Sequence, residues 1–148
     1  MDRRQLTDEE LLKYAPATHV TKVTHDDLTE VTADTPQTIP IDNVKNRHAY
    51  EVVETELVEA FEDFSDAEFD TTAIIIGDDG DTNRFLASQE LNANGTVIHR
   101  KGGTGTYYQY GAANTVDIIF AAMTAKALAD IDTGILNIYV KHLGDPTA

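Results

Sequence analysis

The sequence predicts an all-β fold, an antiparallel β-sandwich of jelly-roll type, preceded by a short N-terminal arm that is helical or extended. Residues 73–76 form an unbroken apolar run with three consecutive isoleucines, which is typical of a strand covered on both faces. Glycine and aspartate end the run within a few residues, as they do at strand ends. Roughly eight to ten short β segments follow one another without a long helical crossover, a spacing typical of a sandwich or barrel.

The length, the cysteine content and the net charge limit the number of domains, the chemistry and the kind of partner that the protein can have. The chain has 148 residues, which suits one domain, and no cysteine, which excludes disulfide bonds and thiol chemistry. Its net charge of −15 argues against nucleic acid or an anionic membrane as its main partner, and suits a protein that stays soluble, meets a basic partner or works in salty water. Because there is neither a signal-peptide pattern nor an apolar run of the roughly 20 residues that span a bilayer, we expect a protein made in a cytoplasm.

Residues 1–17 differ in pattern from residues 18–148, which are predicted to form the sandwich domain. Thr7 and Glu10 have the spacing of a helix capping box, and Pro16 ends the segment. Its apolar side chains form a short stripe: Leu6, Leu11, Leu12 and Tyr14. The segment is expected to dock as a short helix, to fray as a tail, or to grip a neighbouring subunit through this stripe.

Segments rich in valine, threonine and tyrosine predict the strands of the first half of the chain. These segments are residues 19–24, 28–33, 37–41 and 49–61. Pro40 suits a sheet edge or a strand end, because proline cannot donate a ladder hydrogen bond. The last segment also fits helical spacing, but its composition favours a strand.

In the second half, strands are predicted on both sides of several turn signals. The segments are residues 73–76, 84–91, 96–100, 107–110, 115–122 and 135–142. The Asn94-Gly95 pair predicts a hairpin between its two flanking segments. Residues 101–106 predict a glycine-rich loop, and the alanine-rich residues 123–130 predict one or two helical turns.

Acidic and amide side chains crowd the turn after the central run: Asp78, Asp79, Asp81 and Asn83. Such oxygens suit calcium, and Glu90 falls at the twelfth place of an EF-hand loop counted from Asp79. The sixth place, however, holds Arg84 where that loop needs glycine. A solvated acidic turn is therefore favoured over a metal site, and no cofactor is expected.

No catalytic signature is present, so neither catalytic residues nor enzymatic activity is predicted. Ser65 and Ser88, the two serines of the sequence, do not lie in a nucleophile elbow. The five histidines are scattered, which predicts single histidines at the surface or at strand edges. Acidic pairs such as Glu62 and Asp63 arise by chance in so acidic a chain, and a hydrolase is a distant alternative.

Three tyrosines beside the glycine-rich loop form a candidate interface: Tyr107, Tyr108 and Tyr110. Aromatic side chains next to an adaptable loop suit a protein interface or a platform for sugars. Ordinary strand packing explains them equally well. We predict partner contacts at these tyrosines and at the N-terminal stripe.

The order of elements carries a family resemblance. A Val-Thr-rich strand leads to residues 28–41, then to an apolar strand that ends in Ile76-Gly-Asp-Asp79, to the Arg84-Phe-Leu86 run, and to residues 132–140. This order resembles that of small β-sandwich virion proteins of tailed phages, particularly marine phages. Capsid decoration (cement) proteins and related head or tail accessory proteins belong to this group.

The resemblance covers roughly residues 18–142 and implies a non-enzymatic sandwich. It implies a virion protein, assembled in the host cytoplasm, that binds the major capsid protein on the outer surface of the head and stabilises the shell. It also implies a homo-oligomer, with a trimer as the leading expectation. Two alternatives remain, which are a tail, neck or baseplate accessory protein of the same fold and a carbohydrate-binding adhesion module.

Overall fold

A computed structural model describes residues 1–63, 72–92, 98–101 and 107–144 of the protein, with the backbone alone for residues 98–101. In chain order the elements are β1 Asp2–Gln5, α1 Asp8–Tyr14, β2 His19–Thr24, β3 Gln37–Val44, β4 Ala49–Glu62, β5 Ala73–Asp78, β6 Asp81–Glu90, β7 Ile98–Lys101, β8 Tyr108–Gln109, β9 Asn114–Phe120 and β10 Thr133–Leu143. Two 3₁₀ turns, His25–Asp27 and Leu128–Asp130, lie between strands.

The strands form two antiparallel sheets, which confirms the predicted sandwich. The first sheet has the order β1-β2-β10-β4-β7, and β8 also pairs with β4. The second sheet has the order β3-β9-β5-β6. β3, which contains Pro40, is an edge strand, as the sequence predicts from that proline.

Alternation along β10 identifies the two faces of the first sheet. Leu136, Ile138 and Val140 are fully buried and belong to the main core between the sheets. Tyr139 points to the opposite face, where it packs in a small second cluster with Tyr14 of α1. The main core therefore lies between the sheets, and α1 covers part of the outer face of the first sheet.

Local patterns identified most strands correctly, with β2, β4, β9 and β10 close to the predicted segments. Residues 28–33, predicted as a strand, form a loop instead. The reason is local, since the backbone N–H groups of Thr29 and Glu30 donate to the side-chain oxygen of Gln37, at 2.9 and 3.0 Å, rather than to a strand. Residues 123–130, predicted to form one or two helical turns, contain one 3₁₀ turn at Leu128–Asp130.

The predicted hairpin between β6 and β7 is wrong, because the two strands lie in different sheets. β6 pairs with β5, and β7 pairs with β4. The Asn94-Gly95 turn itself and residues 102–106 of the glycine-rich loop lie outside the described residues. Ile74 and Ile76 of β5 are buried, but Ile75 is only half-buried, so the strand is fully covered on its inner face alone.

Candidate functional site

The N-terminal segment is fastened to the first sheet, with β1 paired at its edge and α1 on its outer face. The Glu10 N–H donates to Thr7 Oγ1 at 3.3 Å, and the Thr7 N–H donates to Glu10 Oε1 at 3.1 Å. This is the capping box that the sequence predicts. The guanidinium of Arg4 in β1 donates to the same carboxylate at 2.6 Å and lowers the pKa of Glu10 to about 2. The cap of α1 is thereby tied to β1.

Two of the four apolar side chains of the predicted stripe pack on their own chain. Leu6 and Tyr14 are buried, and Tyr14 stacks on Tyr139 with ring centroids 3.7 Å apart. Leu11 and Leu12 point to solvent, with exposed fractions of 41% and 88%. Leu11 and Leu12 are therefore the members of the stripe that can meet a partner, whereas Leu6 and Tyr14 hold the segment in place.

The three tyrosines of the candidate interface have three different environments. Tyr107 is exposed by 68%, and Tyr108 lies under the Arg84 guanidinium, whose carbon is 3.7 Å from the ring centroid. Tyr110 is buried, and its hydroxyl donates to Asp78 Oδ2 at 2.7 Å. Tyr107 and the partly exposed Tyr108 are accessible to a partner, whereas Tyr110 is an internal contact between the sheets.

Asp78, at the end of β5, is the centre of a hydrogen-bonded cluster that we call the polar latch. Besides Tyr110, it accepts hydrogen bonds from Arg84 Nε at 2.7 Å and from the backbone N–H groups of Gly80 and Asp81 at 2.9 and 3.0 Å. Burial raises the pKa of this carboxyl, but the hydrogen bonds from Arg84 and Tyr110 outweigh burial and lower it below its usual value. Asp78 is therefore held as a carboxylate.

The weak calcium candidates are not brought together by the fold. Asp79, Asp81 and Asn83 are exposed, and both oxygens of Asp78 are engaged by the latch. Glu90 lies at the other end of β6 from Asp81: Glu90 pairs with Ala73 and Asp81 with Asp78, which are five residues, or roughly 17 Å, apart along β5. Among the described residues no group of three or more His, Cys, Asp or Glu side chains could hold a metal ion.

Three of the histidines that the sequence leaves scattered meet inside the sandwich, contrary to the prediction of single histidines at the surface or at strand edges. His19, His48 and His142 are buried, and His48 Nδ1 lies 2.9 Å from His142 Nε2. The strand order brings them together, because β2 and β10 are neighbours and Val140 lies opposite His19. The sequence did contain one signal for the burial of His142. This residue continues the alternation of Leu136, Ile138 and Val140, the inward-facing residues of β10.

Clefts open beside Tyr107 and beside His48. A cleft of about 300 Å³ lies beside Tyr107 on the first sheet and is lined by Ala49, Tyr50, Tyr107, Gln109, Lys141 and Leu143. Lys141 and Leu143 follow Tyr139 on the outer face of β10, so this cleft lies on the same side of the sheet as α1. A second cleft, of about 420 Å³, is lined in part by Arg3, Asp42, Lys45 and His48.

Comparison with known proteins shows a shared fold. The fold is similar to that of a chain from a structure described as the cyanophage Pam1 capsid asymmetric unit, with a TM-score of 0.52 and 19% sequence identity. The alignment covers 83% of this chain and 80% of that chain. No family model and no curated protein matches the sequence. No helix among the described residues is long and apolar enough to cross a membrane.

Proposed function

We propose that this chain is a structural protein of a tailed-phage virion, a decoration protein that binds the major capsid protein on the outside of the head and stabilises the shell. The observation that carries the proposal is the shared fold with a chain of a phage capsid over most of both lengths. The proposal includes no catalytic role, because the sequence carries no catalytic signature.

The docking face in this proposal is the outer side of the first sheet, formed by the exposed side of α1 and the cleft beside Tyr107. Leu11 and Leu12 supply apolar contacts, and Asp8 and Glu9 in the first turn of α1 are exposed beside them. A second copy would present the same acidic groups and be repelled at this face. The occupant is therefore a capsid surface with an apolar depression rimmed by Lys or Arg.

The proposal includes a homotrimer, as the sequence resemblance implies. A homotrimer seated where capsid subunits meet would attach through several equivalent faces at once, which raises the effective concentration of each contact. The net charge of −15 would keep the decorated particles apart in solution.

Purified virions that contain this chain provide the test. We expect mass spectrometry to find the chain in stoichiometric amounts and cryo-electron microscopy to show a two-sheet sandwich on the outer surface of the head. Absence from the particles would contradict the proposal. A position on the tail, neck or baseplate would replace the decoration role with the accessory role.

The docking face has its own matched pair of variants. Leu12→Ser is expected to reduce binding to undecorated heads at least about tenfold, because an exposed apolar anchor at an interface centre is worth more than about 1.4 kcal/mol. Val31→Ser changes a side chain that is 79% exposed in the loop before β3 and is expected to leave binding unchanged. Equal losses in the two variants would remove α1 from the docking face.

A carbohydrate-binding module is the second candidate, favoured by the cleft that Tyr107, Gln109 and Lys141 line. A glycan array probed with and without calcium tests it. Binding that is lost in Tyr107→Ala would support this role, whereas no binding under either condition would exclude it.

A further inference from the structure

Arg3, His142 and His48 form a continuous hydrogen-bonded chain inside one end of the sandwich. Arg3 Nη2 lies 3.0 Å from His142 Nδ1, and His142 Nε2 lies 2.9 Å from His48 Nδ1. Arg3 also forms an ion pair with the buried carboxylate of Asp42 in the second sheet. The chain therefore connects edge strand β1 to β10 and to the loop before β4.

The donor at one end fixes the protonation of both rings. An arginine side chain only donates, so His142 Nδ1 must accept and must carry no proton. Neutral His142 then has its proton on Nε2 and donates it to His48 Nδ1, which must also be unprotonated. If either acceptor nitrogen took up a proton, two N–H groups would face each other at about 3 Å. An attractive hydrogen bond would then be replaced by repulsion.

The described contacts around the two rings include one carboxylate. They come from Arg3 of β1, His19 of β2, Asp42 of β3, Tyr50 of β4 and His142 of β10, with His48 from the adjoining loop. Asp42 is the carboxylate of this group, and it is already engaged by Arg3 and by the Tyr50 hydroxyl at 2.6 Å. Lys45 lines the cleft through which solvent reaches His48 and adds positive charge there.

We propose that this cluster is an acid-sensitive catch that holds the N-terminal segment, residues 1–17, on the sandwich and releases it when the histidines take up protons. β1 is the element that leaves, because this four-residue edge strand pairs with β2 alone among the described strands. Arg3 is its inward anchor, and repulsion by two imidazolium rings acts directly on that side chain. Release uncovers Tyr139 and Val20, the apolar residues beneath Leu6 and Tyr14.

The proposal is independent of what the protein binds, and hydrogen exchange of the purified full-length chain tests it. Between about pH 7.5 and about pH 5, where imidazoles titrate, we expect the Leu6 amide, bonded to Thr18 O at 3.1 Å, to lose protection about tenfold after correction for intrinsic rates. The Ile138 amide in β10 is expected to stay protected. Simultaneous loss at both amides would show general acid unfolding and overturn the proposal.

Matched variants separate this catch from other acid effects. His48→Gln keeps an acceptor for His142 but removes one of the two rings that can take up a proton, so the loss of Leu6 protection at the lower pH is expected to be smaller than in the wild type. His25→Gln alters a histidine that lies beside Asp26 outside the cluster and is expected to behave as the wild type. A smaller loss in the second variant as well, or in neither, would contradict the assignment.

Measurements at neutral pH test the proposal even if a histidine variant fails to fold. Nitrogen NMR of the wild-type rings is expected to show His142 protonated at Nε2 and unprotonated at Nδ1. Arg3→Met is expected to lower Leu6 protection already at neutral pH, whereas Arg4→Met, which removes an outward arginine of the same strand, is expected to lower it less. The opposite tautomer, or equal effects of the two arginine variants, would overturn the proposal.

Discussion

The hydroxyl of Tyr110 donates a 2.7 Å hydrogen bond to Asp78 Oδ2, and this bond joins the two sheets at one end of the sandwich. Tyr110 follows β8, which pairs in the first sheet, and its backbone is bonded to Arg47 and His48. Asp78 ends β5 in the second sheet. The contact therefore closes the sandwich where the strands themselves do not pair.

Tyr110→Phe removes this donor from a buried carboxylate. We expect the free energy of unfolding to fall by about 1.5–3 kcal/mol, the range for hydrogen bonds to charged groups. Urea denaturation followed by circular dichroism measures the change. Tyr107→Phe, at an exposed position, is expected to leave the midpoint unchanged, and equal midpoints for the two variants would contradict the role of the latch.

The depressed pKa of Asp78 makes stability depend on pH in a defined direction. Its carboxyl has a lower pKa in the folded protein than in the unfolded chain, so the unfolded state takes up the proton first as the pH falls. The stabilisation is complete above about pH 4 and is lost as the pH drops through the folded-state value.

Asp78→Asn is accordingly expected to be less stable than the wild type at neutral pH and to show a flatter decline of unfolding free energy below about pH 4. Denaturation curves recorded at several pH values give this slope. Asp26→Asn, whose side chain is 86% exposed, is the control and should keep the wild-type slope. A wild-type slope in Asp78→Asn would mean that Asp78 is not held ionised.

Gly134 at the start of β10 is predicted to tolerate no side chain. Its φ of +144° is rarely adopted by other residues, and an added Cβ would lie 2.4 Å from the ring of the fully buried Phe61. Gly134→Ala is expected to lower the free energy of unfolding by about 2 kcal/mol or more. Gly111→Ala adds the same methyl group in open space and should cost much less, as thermal unfolding of both variants will show.

Variants at Tyr14 and Leu12 of α1 are expected to distinguish a side chain that stabilises the fold from one that is available for docking. Tyr14→Ala removes the ring that stacks on Tyr139, and we expect a loss of about 3 kcal/mol in unfolding free energy. Leu12→Ala, at an exposed position, is expected to change stability by less than about 0.5 kcal/mol. A large loss in Leu12→Ala would place this side chain in a contact within the chain.

The strands could be predicted from the sequence because their signals are local. Alternation predicted β10, and Val, Thr and Tyr content predicted β4, within a few residues. Pairing depends on distant partners, and a strong turn signal such as Asn94-Gly95 could not show that its flanking strands enter different sheets.

The site was harder to predict for the same reason. The role of a residue such as His48 depends on its contact with His142, which lies 94 positions away in the chain. Sequence spacing shows neither that contact nor the burial of Tyr110, whereas the capping box of Thr7 and Glu10 is local and was found.

Thr55 and Gln89 form a second polar contact across the core, because the Thr55 hydroxyl of β4 donates to the side-chain oxygen of Gln89 in β6. Both are buried, and Gln89 Nε2 has no hydrogen-bond partner among the residues that the structure describes. Thr55→Val is expected to cost about 1–3 kcal/mol, because it leaves the amide oxygen without this donor. The double variant Thr55→Val/Gln89→Leu removes the whole amide and should recover most of that loss. A double-mutant cycle in urea measures this coupling, and additive losses would show that the two side chains do not depend on each other.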